Sequence, residues 1–112
     1  MLLLDEPFAQ IDALTRGVIQ EELIRMWIKT GITILMVTHD VDEAILLSDR
    51  ILLMSPGPEA RIMEELDVAI PRPRARTTII EHAAYYPIRN RIIRFLSAKE
   101  GAGPSASINL VA

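Results

Sequence analysis

Two apolar runs, "MLLL" at residues 1–4 and the β-branched, almost wholly apolar "ITILMV" at residues 32–37, each end abruptly in polar sequence, Asp5-Glu6-Pro7 after the first and Thr38-His39-Asp40 after the second. A strand with one face in solvent alternates apolar and polar residues, whereas a strand covered on both faces of a parallel sheet does not. The two runs therefore predict buried strands of an α/β fold. In open α/β sheets, ligands gather outside the carboxyl ends of the strands. The DEP and THD segments are thus expected to share one site.

Between the runs, the region around Thr15 to Thr30 carries Leu14, Val18, Leu23 and Trp27 at helical spacing, with Glu21 and Arg25 four apart on another face. Gly31 is placed to stop that helix. Met26, Trp27 and Ile28 are expected to pack in a core. Asp40 and Glu43 stand in the D-x-x-E relation of a capping box and predict a short helix through Ala44 to Leu47. Arg50 to Met54 and Arg61 to Leu66 read as a hairpin around the Pro-Gly turn at Ser55 to Pro58. "AIPRPRAR" is a proline-broken connection, and Thr77 to Lys99 is helical in pattern, with Pro87 expected to divide it. From Gly101 the chain reads as a frayed tail.

The chain's 112 residues suit one small domain or part of one. No apolar run approaches the roughly 20 residues that span a bilayer. No basic segment leads into an apolar one as in a secretory signal, so a cytoplasmic location is the default expectation. The chain has no cysteine, which excludes disulfides and thiolate metal sites. A net charge of −3 hides an asymmetry: residues 1–70 hold 5 basic and 13 acidic side chains, and residues 71–112 hold 7 and 2. The acidic part argues against a nucleic-acid surface there. The Arg72-Arg74-Arg76 and Arg89-Arg91-Arg94 sets read first as a linker and a solvated helix face.

The two strand ends carry the chemistry. A carboxylate at Asp5 can hold Mg²⁺ directly or through water, and Glu6 can orient or deprotonate an attacking water. His39 can hydrogen-bond a transferring phosphoryl group, and phosphoryl transfer depends mainly on positioning and electrostatics. Singly, each is more often a turn, cap or structural residue. Their joint spacing is specific: an apolar strand ending in DEP, Asp12 opening a helix six residues past Glu6, then a strand ending in THD.

With these motifs the chain resembles the ATP-binding subunits of ABC transporters, in their C-terminal half. "LLLDEP" is similar to the Walker B motif with its catalytic glutamate, "AQID" to the D-loop, and "VTHD" to the switch-histidine loop. "DEPFAQIDALTR", "THDVDEAILLSDRILLMSPGP" and "PRPR" most resemble the importer branch for nitrate, sulfonate and taurine, and the likeness runs from residue 1 to about residue 98. The resemblance implies a partial P-loop NTPase core of mostly parallel sheet, with a β-hairpin and a C-terminal helical segment. It implies residues 1–70 as the ATPase part and 71–99 as linker and helices; residues 100–112 lie outside the likeness and read as a flexible tail. It further implies Asp5 for Mg²⁺, Glu6 as catalytic base, His39 as γ-phosphate sensor and Asp12 as a contact across a dimer.

The cofactors implied are ATP and Mg²⁺, bound only together with the family's N-terminal half. The partners implied are a second ATPase subunit, transmembrane permease subunits and, indirectly, a substrate-binding protein, at the cytoplasmic face of the membrane and without nucleic acid. Gln10 and Ile11 stand where the family's D-loop has a small residue and Leu. No G-x-x-x-x-G-K-[ST] loop, glutamine loop or L-S-G-G-Q signature occurs in the 112 residues. Met1 is therefore expected to be an internal position read as a start, and the chain alone to fold poorly and be inactive. The alternatives are a non-catalytic remnant that binds a partner, and a piece of a DNA-repair-type ATPase. The second is disfavoured by the hairpin, the absence of heptads and the acidic first part.

Overall fold

The computed structural model describes residues 1–54, 61–98 and 107–111. It holds strands β1 (Leu2–Asp5), β2 (Ile34–Thr38), β3 (Arg50–Met54), β4 (Ile62–Asp67) and β5 (Ser107–Val111). Its helices are α1 (Ala13–Thr30), α2 (Val41–Leu47) and α3 (Tyr85–Ala98), with a 3₁₀ turn at Ile79–Glu81. The five strands form one sheet in the order β1-β2-β5-β3-β4. The fold is α/β, as expected, with a parallel pair of strands, an antiparallel hairpin and a C-terminal helix.

Strands β1 and β2 pair in parallel, Leu2 opposite Ile34 through Asp5 opposite Val37, and α1 crosses between them. Strand β5 runs antiparallel to both β2 and β3, so β1, β2 and β3 point the same way. The hairpin partner β4 lies antiparallel to β3, from Arg50 opposite Asp67 to Met54 opposite Ile62. The turn expected at Ser55 to Pro58 lies outside the described residues.

Strand β5 falls within the stretch read as a flexible tail, residues 100–112. Ser107–Val111 form an interior strand, with Asn109 opposite Val37 on one side and Leu52 on the other. Its "SINLV" is too short for a periodicity to stand out, and only tertiary pairing calls on its backbone groups.

The core lies on one face of the sheet. Ile34, Met36 and Thr38 of β2 and Ile51 and Leu53 of β3 alternate inward and are buried there with Ile45, Ile92 and Phe95 of the helices. The opening strand is not covered on both sides as its composition suggested: Leu2 and Leu4 are half-buried, while Leu3 is 63% exposed. β1 is an edge strand of the described sheet, and no described helix packs over its outer face.

Helix α1 starts at Asp12, whose extended backbone makes it the N-cap, and ends at Gly31. Gly31 adopts φ 68, the left-handed region that glycine tolerates, and its N–H donates to the Trp27 carbonyl at 2.8 Å. Of the apolar residues expected inside, Leu23 borders the core, as does its neighbour Ile24, and Trp27 is half-buried, but Leu14, Val18 and Ile28 are exposed and Met26 is 37% so. The one fully buried side chain of α1 is polar, Gln20. In α2 the Asp40 carboxylate accepts from the Glu43 N–H at 3.1 Å, the first half of the expected capping box. Pro87 does not divide the C-terminal helix. It sits in the first turn of α3, where its missing N–H has no helical partner to lose.

Candidate functional site

The parallel pairing of β1 and β2 brings two side chains 33 residues apart into contact. The Glu6 backbone N–H continues the ladder by donating to the Val37 carbonyl at 2.8 Å. The chain then turns sharply: Ala9 N–H donates to the Glu6 carbonyl and Ile11 N–H to the Phe8 carbonyl, both at 3.3 Å. Glu6 makes the corner at φ 43, among the described residues the one non-glycine with positive φ. Non-glycine residues take that conformation at a cost that persists only where surrounding structure holds it, and such residues cluster at functional sites.

Across from it, β2 ends at Thr38 and His39. Glu6 Oε1 lies 2.5 Å from His39 Nδ1, with both side chains nearly half exposed. They open on a cleft of about 390 Å³ lined also by Phe8, Ala9, Arg16, Thr38, Asp40 and Glu43. Of the four residues singled out from sequence, the fold thus joins Glu6 and His39. Asp5 is exposed at the end of β1, one residue before the corner and opposite Val37. Asp12 is apart from the cleft, exposed at the head of α1, where the Thr15 hydroxyl chiefly holds its carboxyl below the usual carboxylate range.

Three residues that sequence reading passed over also shape the site. The Arg16 guanidinium donates to the Ile11 carbonyl at 2.8 Å and lies 4.0 Å from the Asp40 carboxylate, tying the turn before Asp12 to the corner after His39. Its buried Nε has no partner within the described residues. Glu43 is buried, and that burial pushes its carboxyl above the usual range. Gln20 donates to it at 2.9 Å. A polar residue on an otherwise apolar helical stripe was the available signal for Gln20; Glu43 was masked by its capping position.

No protein-family model matches the chain. Individual relatives do. The chain is 51% identical over 102 residues to the nitrate import ATP-binding protein NrtC of Synechocystis sp., which covers 91% of this chain and 15% of that protein. It is 53% identical over 100 residues to the bicarbonate transport ATP-binding protein CmpC of the same organism, 89% of this chain and 15% of that one. With the nitrate transport protein NasD of Klebsiella oxytoca it shares 48% over 100 residues, 89% of this chain and 38% of that one. The chain is thus homologous to the ATP-binding subunits of ABC transporters. The three relatives named here serve nitrate or bicarbonate transport, and the chain spans between about a seventh and two-fifths of their length.

Proposed function

We propose that the chain supplies the hydrolytic corner of an ATPase that drives import of a small anion, nitrate foremost. The observation that carries this reading is the 2.5 Å contact of Glu6 with His39 at the carboxyl ends of two adjacent parallel strands, over an open cleft. The names of the matched relatives supply the transported class.

In this reading Glu6 is the base. Its carboxylate faces the cleft and accepts a proton from water, and the Nδ1 contact of His39 fixes its direction. A phosphoryl oxygen only accepts, so the other ring nitrogen of His39 serves it when both ring nitrogens carry hydrogens, one given to Glu6 and one to the phosphoryl oxygen. Among the described residues, no three His, Cys, Asp or Glu side chains converge to hold a metal by themselves. At nucleotide sites Mg²⁺ needs only one or two protein carboxylates, with waters and phosphate oxygens completing its shell. The exposed carboxylate of Asp5 beside Glu6 fits that donor set, and the ion would offset charge on the phosphates. Asp12, exposed at the start of α1, is read as the contact to a second ATPase subunit. Permease subunits and a substrate-binding protein complete the assembly, at the cytoplasmic face of the membrane; no described helix is long and apolar enough to cross one.

A second reading, a non-catalytic chain that binds a partner, draws on the lack of a G-x-x-x-x-G-K-[ST] loop within these 112 residues. Such loops supply the backbone amides and lysine that cradle phosphates. A chimera separates the two. Residues 1–98 of this chain are exchanged for the matching stretch of NasD, and ATP hydrolysis is assayed. The proposal expects turnover that Asp5→Ala abolishes; a folded chimera that binds ATP and never hydrolyses it supports the remnant reading.

A further inference from the structure

His39 sits between two residues, Thr38 and Asp40, that line the cleft together with the buried Glu43. The Thr38 hydroxyl, on the residue before it, accepts from the Asp40 N–H at 3.1 Å and lies on the Glu43 side of the cleft, near enough to offset part of the upward pull of burial on the Glu43 carboxyl. Asp40, on the residue after it, accepts from the Glu43 N–H at 3.1 Å. Asp40 is thus bonded both to Thr38 and to Glu43, and Glu43 is only 4% exposed. In a capping box the glutamate would fold back to the N-cap N–H. Here the Thr38 hydroxyl takes that N–H, which leaves the Glu43 carboxylate to turn inward. Gln20, 2% exposed, donates to it, and the Gln20 carbonyl oxygen accepts from Arg76 at 2.8 Å. Arg76 is exposed and belongs to the Pro-Arg segment after β4.

The amide of Gln20 has one face that donates and one that accepts. The Arg76 guanidinium can only donate, so it fixes which way the amide points and therefore that Gln20 presents N–H to Glu43. A buried carboxylate that loses a donor must find another or take up a proton, because an unpaired charge in a dry setting is costly. Either response alters the charge and position of Glu43 beside Thr38 and Asp40, the residues on each side of His39.

We propose that Glu43 is a positioning residue for His39, and that Arg76, acting through Gln20, sets its orientation from outside the cleft. This deepens the reading of His39 as a functional side chain and rests on it. The Pro-Arg segment then has a role beyond linking: whatever engages Arg76 reaches the histidine.

The test reads the imidazole directly. The chain has two histidines, His39 and His82, so ring nitrogen resonances in the labelled 112-residue protein are readily assigned by His82→Gln. Arg76→Met, on the surface, and Glu43→Ala should each move the His39 ring signals toward those of Glu6→Gln, in which the Nδ1 contact is weakened. Glu43→Gln, which keeps the hydrogen-bonding shape, should hold them near the parent values. In the NasD chimera, Glu43→Ala should lower kcat roughly tenfold at nearly constant KM, as loss of a supporting partner does. If Arg76→Met and Glu43→Ala lower stability while the His39 signals stay in place, Glu43 only fills the core and the proposal is wrong. Should Glu43→Ala fail to fold, Arg76→Met alone decides. The ring signals are read without ATP turnover, so an inactive chimera refutes the proposed function and leaves this inference standing or falling on its own result.

Discussion

The Arg74 guanidinium donates to the Ser48 carbonyl at 2.7 Å, closing the carboxyl end of α2 from a segment 26 residues further on. The same side chain, 2% exposed, reaches the carbonyls of Ile45 at 3.0 Å and Ile70 at 3.0 Å. The last carbonyls of a helix have no helical partner and carry partial negative charge, so a cation with several donors suits them. Burial, and then the neighbouring Arg72, pull the Arg74 pKa down to about 10, which leaves it protonated at neutral pH. Arg74→Met should strand these buried carbonyls and lower stability by about 2 kcal/mol or more, seen as a fall in the urea midpoint. Arg74→Lys should recover less than half, because an ammonium cannot fork to carbonyls on two segments. A midpoint unchanged by Arg74→Met would show the network to be energetically idle.

The backbone of Glu6 yields a second expectation. Alanine and glycine at this position both remove the carboxylate, and they differ in their tolerance of φ 43. Glu6→Gly should be more stable than Glu6→Ala by about 1 kcal/mol, the cost of holding a Cβ in the left-handed region. The reverse order would mean that the corner relaxes to negative φ once the carboxylate is gone.

Glu43 carries a pH dependence whose sign follows from its burial. Its carboxyl is raised above the ordinary value of 4.5 in the folded chain, so the folded state binds a proton that the unfolded state has already lost. Stability from this group is fully present below the ordinary value and is lost as pH rises through the raised one. Glu43→Gln has no proton to lose. The difference in urea midpoint between parent and Glu43→Gln should therefore shift in favour of the variant as pH rises from about 4 to 8. A difference that stays flat across that range would show Glu43 to titrate normally.

Much of the site was legible in the sequence because its logic is local. Apolar runs that stop at DEP and THD mark strand ends, and parallel strands joined by one helix put those ends side by side. Asp12 as the start of α1, Gly31 as its stop and Asp40 as the cap of α2 all follow from backbone demands that one residue satisfies. What escaped was set by partners far along the chain. Leu14 and Ile28 fit a helical stripe, yet α1 turns Gln20 inward because Glu43 and Arg76 await it there. Trp27 is half-buried, and what covers its ring is the Arg72 guanidinium, 4.4 Å from the centroid, which no local pattern announces. Strand β5 escaped for the same reason, since five residues of backbone find their use only between β2 and β3.

The chain by itself is expected not to hold Mg-ATP, because these 112 residues include no loop to cradle the phosphates. Titration with a fluorescent ATP analogue checks this. A saturable micromolar signal lost in Asp5→Ala would contradict it and place a complete phosphate site within the chain.

The central claim is that Glu6 acts on water while His39 holds it in line, and the Glu6→Gln variant of the NasD chimera tests it most directly. The amide keeps the size of the side chain and a hydrogen bond to His39 but cannot accept a proton as a base. The account predicts that ATP binding persists within about twofold while kcat falls at least roughly a hundredfold, the low end of what a general base contributes. Turnover of Glu6→Gln close to the parent rate would contradict it and leave the 2.5 Å contact a structural pairing of strand ends.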